Sequence, residues 1–303
     1  MTLTIIGPEA EAKLDWLALT DALAAGHARP RAKVADTLLH RGGDTLLTRS
    51  AWIDGMGVAV KAATVYPGNP KLGLAAVNGA VNLFSDSDGR LEALVDFTLV
   101  TKWKTAGDSL LAARRLARPD AQTFLIVGAG AVARSMAEAY AAAFPKARFH
   151  VWARNPDAAR GFADATGAVP EPDLEAAVRR ADVIATTTMT TEPLIRGAWL
   201  QPGTHLDLIG AYRPDMREAD SDCYRRARVF VDARATTLHH IGDLMVPLAE
   251  GAITERDVLA DFYDLPTGGF ARRSADEITL CKNGGGAHLD LMTARYILQV
   301  AQT

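Results

Sequence analysis

The sequence predicts an α/β protein in which a Rossmann-type dinucleotide-binding domain is joined to a separate α+β domain, and three observations predict it. Phe124-Leu125-Ile126-Val127 is an apolar run that breaks into Gly128-Ala129-Gly130-Ala131-Val132-Ala133 and then into an alanine-rich helix. From residue 119 onward, strand-like runs alternate with helical ones, the pattern of a parallel sheet with right-handed crossovers. Between residues 45 and 100 short β-like runs are separated by turns, which points to an antiparallel or mixed sheet.

Taken in order, Gly7-Pro8 opens a helix expected over residues 9–25, with proline in the first turn and Gly26 at its end. Arg29-Pro30-Arg31 is a basic turn. Strands are expected at 45–48, Gly57–Val65, 80–84 and 91–99, and Ser85-Asp86-Ser87-Asp88-Gly89 has the composition of a hairpin turn. A helix over 105–118 stops ahead of Pro119, because the residue before proline is biased away from helical geometry, and this sets the first domain boundary. The strand at 124 is followed by a helix over 134–144 closed by Pro145 and by a second strand, Arg148–Trp152. Helices Pro156–Thr166 and Leu174–Arg180 and strands 182–186, 205–209 and Arg228–Val231 continue the alternation. A short strand at 277–280 and the turn Gly284-Gly285-Gly286 lead into a last helix over 287–299.

The glycine run reads as a nucleotide cradle. Gly128 permits a tight turn, Gly130 lets the backbone approach a pyrophosphate, and Ala133 fits where helix and strand pack closely. Ala129, Ala131 and Val132 complete the loop, and the helix N-terminus offers its N–H groups to phosphate. In such a fold the end of the second strand carries an acidic residue when NAD is bound. Here it reads Val151-Trp152-Ala153-Arg154-Asn155, with no carboxylate. Arg154 offers a planar fork of donors to a 2′-phosphate, with Asn155 beside it, so NADP(H) is expected ahead of NAD(H). The competing readings are that Arg154 is a solvated helix-entry residue and that Asp157 reaches the ribose. Thr186 and Thr187 follow the third strand, where small hydroxyl residues line the nicotinamide-ribose side or simply form a turn.

Composition excludes several classes of function. With 49% hydrophobic residues, a net charge of −3 and no block of like charges, the chain lacks a footprint for nucleic acid or an anionic membrane. No apolar run approaches the roughly 18 residues of a membrane span. The N-terminus has no secretion-signal pattern, so a cytoplasmic location is the default expectation. Cys223 and Cys281 lack CxxC spacing and read as small core residues. His239-His240 has no third ligand at suitable spacing, so no metal is expected. His205 and His288 read first as structural histidines, with His288 the better candidate for a pocket. A small molecule is the remaining class of partner.

Several segments carry a wider resemblance: Pro30-Arg31, Gly57-Val58-Ala59-Val60-Lys61 with Pro67-Gly68-Asn69, Val100-Thr101-Lys102-Trp103-Lys104-Thr105-Ala106, the glycine loop, Gly242-Asp243-Leu244, Asp276-Glu277-Ile278-Thr279-Leu280 and Gly284-Gly285-Gly286-Ala287-His288-Leu289-Asp290-Leu291. In order and spacing they resemble the ornithine cyclodeaminase/mu-crystallin family. The resemblance implies a substrate and dimerisation domain over residues 1–118, a dinucleotide-binding domain over 119–276, and a C-terminal return to the first domain over 277–303, in a homodimer. It also implies that Lys61 sits in the substrate pocket and that Arg31 helps hold a substrate carboxylate. A lysine ending an apolar strand run suits that role, since a buried ammonium needs an anionic or polar partner and has its pKa moved toward neutrality. The alternatives are a lysine snorkelling from a sheet edge and a surface charge in a turn.

Two departures from the cyclodeaminase pattern redirect the chemistry. Lys104 stands where an Arg-Thr-Ala motif has arginine, replacing a bidentate clamp by a point charge. Tyr212, after Ile209-Gly210-Ala211, stands where cyclodeaminases and related alanine dehydrogenases have an acidic residue, and the run Arg213-Pro214-Asp215-Met216-Arg217-Glu218 is similar to the family's ketimine reductases. Asp215, the nearest acid, is expected to start or cap the next helix. The resemblance therefore implies NADPH-dependent reduction of a cyclic imino acid, Δ1-pyrroline-2-carboxylate to L-proline, with Δ1-piperideine-2-carboxylate to L-pipecolate as a second activity. Arg31 and Lys104 would hold the carboxylate and Lys61 would contact the ring or manage the proton, while Tyr212, Gly285, Gly286 and His288 shape the pocket. Asp290 is a candidate contact near the nicotinamide or substrate, or a helix cap. Competing functions are a cyclodeaminase, a lyase dehydrating a hydroxylated proline, an amino-acid dehydrogenase and a non-catalytic NADPH-binding crystallin.

Overall fold

Alternation of inward and outward residues builds the first sheet. The computed structural model describes residues 3–303. Its first strand β1 (Thr4–Ile6) is followed by a 3-10 turn at Pro8–Lys13 and by α1 (Trp16–His27). Then come β2 (Lys33–Arg41), β3 (Asp44–Ile53), β4 (Gly57–Val65), β5 (Val77–Phe84), β6 (Leu91–Asp96) and α2 (Phe97–Leu116). The strand order is β1-β6-β5-β4-β3-β2, antiparallel except for the β1/β6 pair.

Four expectations for this region need correction. The helix expected over 9–25 breaks at residues 14–15, because the Asp15 carboxylate accepts from the Ala18 N–H at 2.8 Å and caps a new helix. α1 runs one residue past Gly26 to His27, and glycine serves packing there, since a Cβ would sit 2.6 Å from Met292 Sδ. The strand expected at 91–99 gives way to α2 at Phe97, where the Asp96 carboxylate accepts from the Leu99 N–H at 2.7 Å. β2 was not anticipated, and β3 extends past Thr48 to Ile53.

The second sheet is parallel throughout. β7 (Thr123–Val127), α3 (Ala131–Ala143), β8 (Arg148–Trp152), α4 (Pro156–Thr166), β9 (Val169–Pro170), α5 (Leu174–Arg180), β10 (Val183–Thr186) and β11 (His205–Leu208) follow in the chain. α6 (Ser221–Arg226), β12 (Arg228–Val231), α7 (Arg234–Thr237), α8 (Gly242–Ala249), β13 (Val258–Ala260) and β14 (Thr279–Lys282) complete it, before α9 (Ala287–Ala301). The order is β13-β12-β14-β11-β10-β7-β8-β9. Leu125 and Val127 face one buried cluster with Ile184, Leu206 and Leu208, while Ile126 faces another with Val151 and Phe162. Burial on both faces explains why these strands read as continuous apolar runs. Each such side chain contributes on the order of 1.5–3 kcal/mol.

The chain forms two compact units, one running to Lys104 and resuming at Gly286–Thr303, the other spanning Thr105–Gly285. These divisions fall at 104/105 and 285/286, whereas the expected boundaries lie at 118/119 and 276/277. The shift has a local cause: Ser109, on the later part of α2, bonds Asp207 and Asn283 of the parallel-sheet unit. Within the first unit α9 packs on β3 and β4 and against α1.

Candidate active site

In the first unit, β4 presents Gly57, Ala59, Lys61 and Ala63 to its buried face. The small alanines leave space for one long side chain. Lys61 is 6% exposed, and its Nζ donates to Asp290 Oδ1 and Thr101 Oγ1, both at 2.9 Å. The Phe97 ring centroid lies 4.7 Å from the same nitrogen. Asp290 stands in the first turn of α9 and gives Oδ1 to the lysine, while its buried Oδ2 has no hydrogen-bond partner. Burial lowers the Lys61 pKa from the ordinary lysine value; Asp290 opposes this, and the positive charges of Lys104 and Arg49 reinforce it.

His288, also buried at the start of α9, stacks edge-on against His27 with ring centroids 5.4 Å apart. Burial, then His27, Lys104 and Arg49, hold its pKa well below the usual imidazole range. The first unit thus brings together Lys61, Asp290, Lys104 and His288 of the residues singled out from sequence. Arg31 is exposed in the turn before β2. Phe97, Thr101 and Arg49 were not singled out as site residues. Arg49 escaped because its strand was expected to end at Thr48; in the longer β3 it falls in phase with buried Ala51 and Ile53.

In the second unit the glycine run follows β7 as expected. Gly128 has φ +120°, and a Cβ there would lie 2.3 Å from Thr187 Oγ1, so only glycine fits the turn. Gly130 is the N-cap of α3 and no side chain caps that helix. Its first-turn N–H groups therefore suit an anion. Thr187 Oγ1 donates to Val127 O at 3.2 Å, and Thr186 Oγ1 is buried with no hydrogen-bond partner. Arg154 is exposed just past β8, and Asn155 caps α4 by accepting from the Asp157 N–H at 3.0 Å. Asp157 itself pairs with Arg160.

A buried clamp, absent from the sequence reading, fixes the loops after β10 and β11. Glu218 Oε1 accepts from Thr188 N and Oγ1 at 2.7 and 2.8 Å, and Oε2 accepts from the N–H groups of Gly210 and Ala211 at 2.7 and 3.1 Å. The Glu218 N–H donates to Asp243 Oδ1 at 2.8 Å, and fully buried Lys282 lies 3.2 Å from Asp243 Oδ2 while donating to Ala211 O at 2.8 Å. Burial raises the Glu218 pKa, and Lys282 opposes the rise. Tyr212, on the clamped loop, is 58% exposed beneath the Arg213 guanidinium. Asp215 does not cap a helix: it takes both prongs of Arg213 at 2.9 Å, and Asp220 is the N-cap of α6. Gly284 and Gly285 donate their N–H groups to Asp232 Oδ2 at 3.0 and 2.6 Å. Among the described residues no cluster of three His, Cys, Asp or Glu could hold a metal ion.

The model of the ornithine cyclodeaminase/mu-crystallin family matches residues 46–303. A Δ1-pyrroline-2-carboxylate reductase of Paracoccus denitrificans is 50% identical over 299 residues, covering 96% of this chain and 95% of that protein. The solved Δ1-pyrroline-2-carboxylate reductase of Thermococcus litoralis, in complex with NADH and L-proline, superposes with a TM-score of 0.88 at 26% identity, covering 99% and 97% of the two chains. An archaeal alanine dehydrogenase dimer with bound NAD matches with the same TM-score of 0.88 at 26% identity, covering 100% of this chain and 97% of that one.

Proposed function

The chain belongs to the ornithine cyclodeaminase/mu-crystallin family, and from that premise we propose that it reduces Δ1-pyrroline-2-carboxylate to L-proline with a reduced nicotinamide dinucleotide. One observation carries the reading within this chain: a buried lysine with a lowered pKa, paired to a carboxylate that has an oxygen to spare.

The cradle fits the cofactor. Gly128, Gly130 and the uncapped start of α3 suit a pyrophosphate, and the unpartnered Thr186 hydroxyl offers a donor beyond it. Arg154 supports a preference for NADP(H), because its exposed guanidinium stands where an acidic residue would repel a 2′-phosphate. When bound, the reduced nicotinamide supplies the hydride that ends on C2 of the ring. The protein's own residues do the rest. Lys104 and Arg31 attract the substrate carboxylate. Lys61 gives its proton to the ring nitrogen as the C=N bond is reduced, and regains one from solvent afterwards. Its lowered pKa makes that transfer easier than from an ordinary lysine, while Asp290 holds the ammonium in place. Phe97, whose ring centroid lies 4.7 Å from the Lys61 ammonium, offers an apolar face for the substrate ring beside the proton donor.

The same reading covers Δ1-piperideine-2-carboxylate as a larger-ring substrate. It also makes the protein a homodimer: Val34, Leu38 and Leu39 of β2 and Leu46 and Trp52 of β3 are exposed apolar residues on one end of the first sheet, and light scattering measures the mass. No helix among the described residues is long and apolar enough to cross a membrane.

The test follows loss of reduced-nicotinamide absorbance when purified protein, NADPH or NADH, and Δ1-pyrroline-2-carboxylate are mixed. Ornithine, and pyruvate with ammonia, serve as parallel substrates. Oxidation with the cyclic imine and not with the others is expected. Absence of turnover with either dinucleotide would discard the reductase reading, and ammonia release from ornithine would replace it.

A further inference from the structure

A row of charge runs across the first sheet. Asp36 of β2, Arg49 of β3 and Lys61 of β4 are direct partners in the two antiparallel ladders, Asp36 to Arg49 and Arg49 to Lys61. Direct partners point to the same face. That is the face on which α9 packs, carrying Asp290 and His288. Arg49 Nε and Nη2 lie 2.9 and 2.8 Å from Asp36 Oδ2, and its side chain keeps 25% of its surface exposed.

Positive charge gathers along this row. Arg49, Lys61 and Lys104 are close enough for Arg49 and Lys104 each to disfavour the charged forms of Lys61 and His288. Asp290 pairs with Lys61, and Asp36 pairs with Arg49. One further anion at the row relieves this repulsion. Lys104 provides only a point charge for such an anion, whereas a guanidinium matches the two oxygens of a carboxylate in one plane. Asp36 fixes one edge of the Arg49 guanidinium.

We propose that Arg49 is a specificity-determining residue that binds the carboxylate of the imino acid and supplies the guanidinium that position 104 lacks. The proposal rests on the reductase reading for its substrate, but carboxylate binding is measurable without turnover.

Two measurements test it. The first is calorimetric binding of pyrrole-2-carboxylate, a planar carboxylate ring, to the wild type, Arg49→Met and Arg49→Lys. The second is the ratio of kcat/KM for Δ1-pyrroline-2-carboxylate to that for 2-methyl-1-pyrroline, which has the ring but no carboxylate. Loss of a charge-assisted bidentate contact lowers both affinity and ratio by about 10- to 100-fold in Arg49→Met. Arg49→Lys recovers only part, and KM for the dinucleotide stays unchanged. Asp36→Asn, on the exposed strand β2, loosens the guanidinium and lowers the ratio several-fold in a protein whose core is untouched. Equal pyrrole-2-carboxylate binding by wild type and Arg49→Met overturns the assignment, as does failure of the wild type to bind it. A wild type that binds the acid through Arg49 but oxidises no nicotinamide keeps the assignment and removes only the reductase reading.

Discussion

Lys61 and Asp290 meet as a buried ion pair, Nζ to Oδ1 at 2.9 Å, although 229 positions separate them in the chain. β4 supplies the base and the first turn of α9 supplies the acid, so the pair exists only once the C-terminal helix has returned to the first sheet. Removing one member of a buried pair leaves an uncompensated charge, a loss of about 3–5 kcal/mol.

The first prediction concerns pH. If protonated Lys61 is the donor, kcat falls as pH rises through its lowered pKa. Asp290 is the main influence raising that pKa against burial. Asp290→Asn therefore moves the alkaline limb of the kcat profile to lower pH, by about one unit or more for a coupling above 1.4 kcal/mol. A profile whose alkaline limb stays in place would remove Lys61 from proton transfer. Lys61→Met lowers kcat by about 100-fold or more, in line with the usual worth of a positioned acid.

A second prediction concerns the clamp at Glu218. Its carboxylate accepts from four donors, three of them backbone N–H groups. Glu218→Gln places an amide NH2 against one pair of those donors, which costs about 1–3 kcal/mol for each donor left buried and unpaired. The loops after β10 and β11 start at the carboxyl edge of the parallel sheet, where ligands of such sheets bind. The expected result is a dinucleotide dissociation constant raised about tenfold or more, read by fluorescence well below the melting temperature. An unchanged constant beside a lowered Tm would reduce Glu218 to a structural role.

Much of this was legible in the sequence, for local reasons. The glycine loop, the helices Pro156–Thr166 and Leu174–Arg180 and the parallel alternation follow from apolar runs, caps and breakers that act over a few residues. Lys61 was legible because a charge in an apolar strand stands out. Lys282 ends β14 in the same way, yet its partners Ala211 and Asp243 lie far off in the chain and have no local signature. Glu218 reads as an ordinary surface acid until the fold wraps two loops around it. β2 was missed because all its residues are exposed, so no buried face marks its period. That omission, and the early end given to β3, hid the row from Asp36 to Lys61.

The third prediction tests cofactor preference. Arg154 is exposed beyond β8, so its replacement disturbs no core contact. Arg154→Asp adds a carboxylate able to accept from a ribose 2′-hydroxyl and to repel a 2′-phosphate. The ratio of kcat/KM for NADPH to that for NADH is expected to fall about tenfold or more. The same ratio in both proteins would withdraw the 2′-phosphate assignment and leave Arg154 a helix-entry residue.

The last prediction comes from two neighbours on β11 whose titrations oppose each other. Asp207 is fully buried; it accepts from Ser109 Oγ at 3.2 Å and from Tyr140 and Asn283. Burial nonetheless raises its pKa to about 7. His205 is buried two residues earlier, with Nδ1 3.0 Å from Thr279 Oγ1, and burial followed by the charge of Arg272 lowers its pKa to about 3. The folded state holds the Asp207 proton more tightly than the unfolded chain does. Stability from Asp207 is therefore complete below about pH 4 and is lost as pH rises to about 7. His205 behaves in the opposite sense: its contribution is present above about pH 6.5 and is lost as pH falls toward 3. Each effect is on the order of 4 kcal/mol across its window. Between about pH 4 and 6.5 they nearly cancel, so the wild-type free energy of unfolding has little slope from this pair. Asp207→Asn leaves the histidine alone and makes stability rise with pH across that window, whereas His205→Asn leaves the carboxyl alone and makes it fall. Denaturant unfolding at a series of pH values reads both slopes. Slopes in the two variants that match each other and the wild type would mean that neither group changes its protonation on folding.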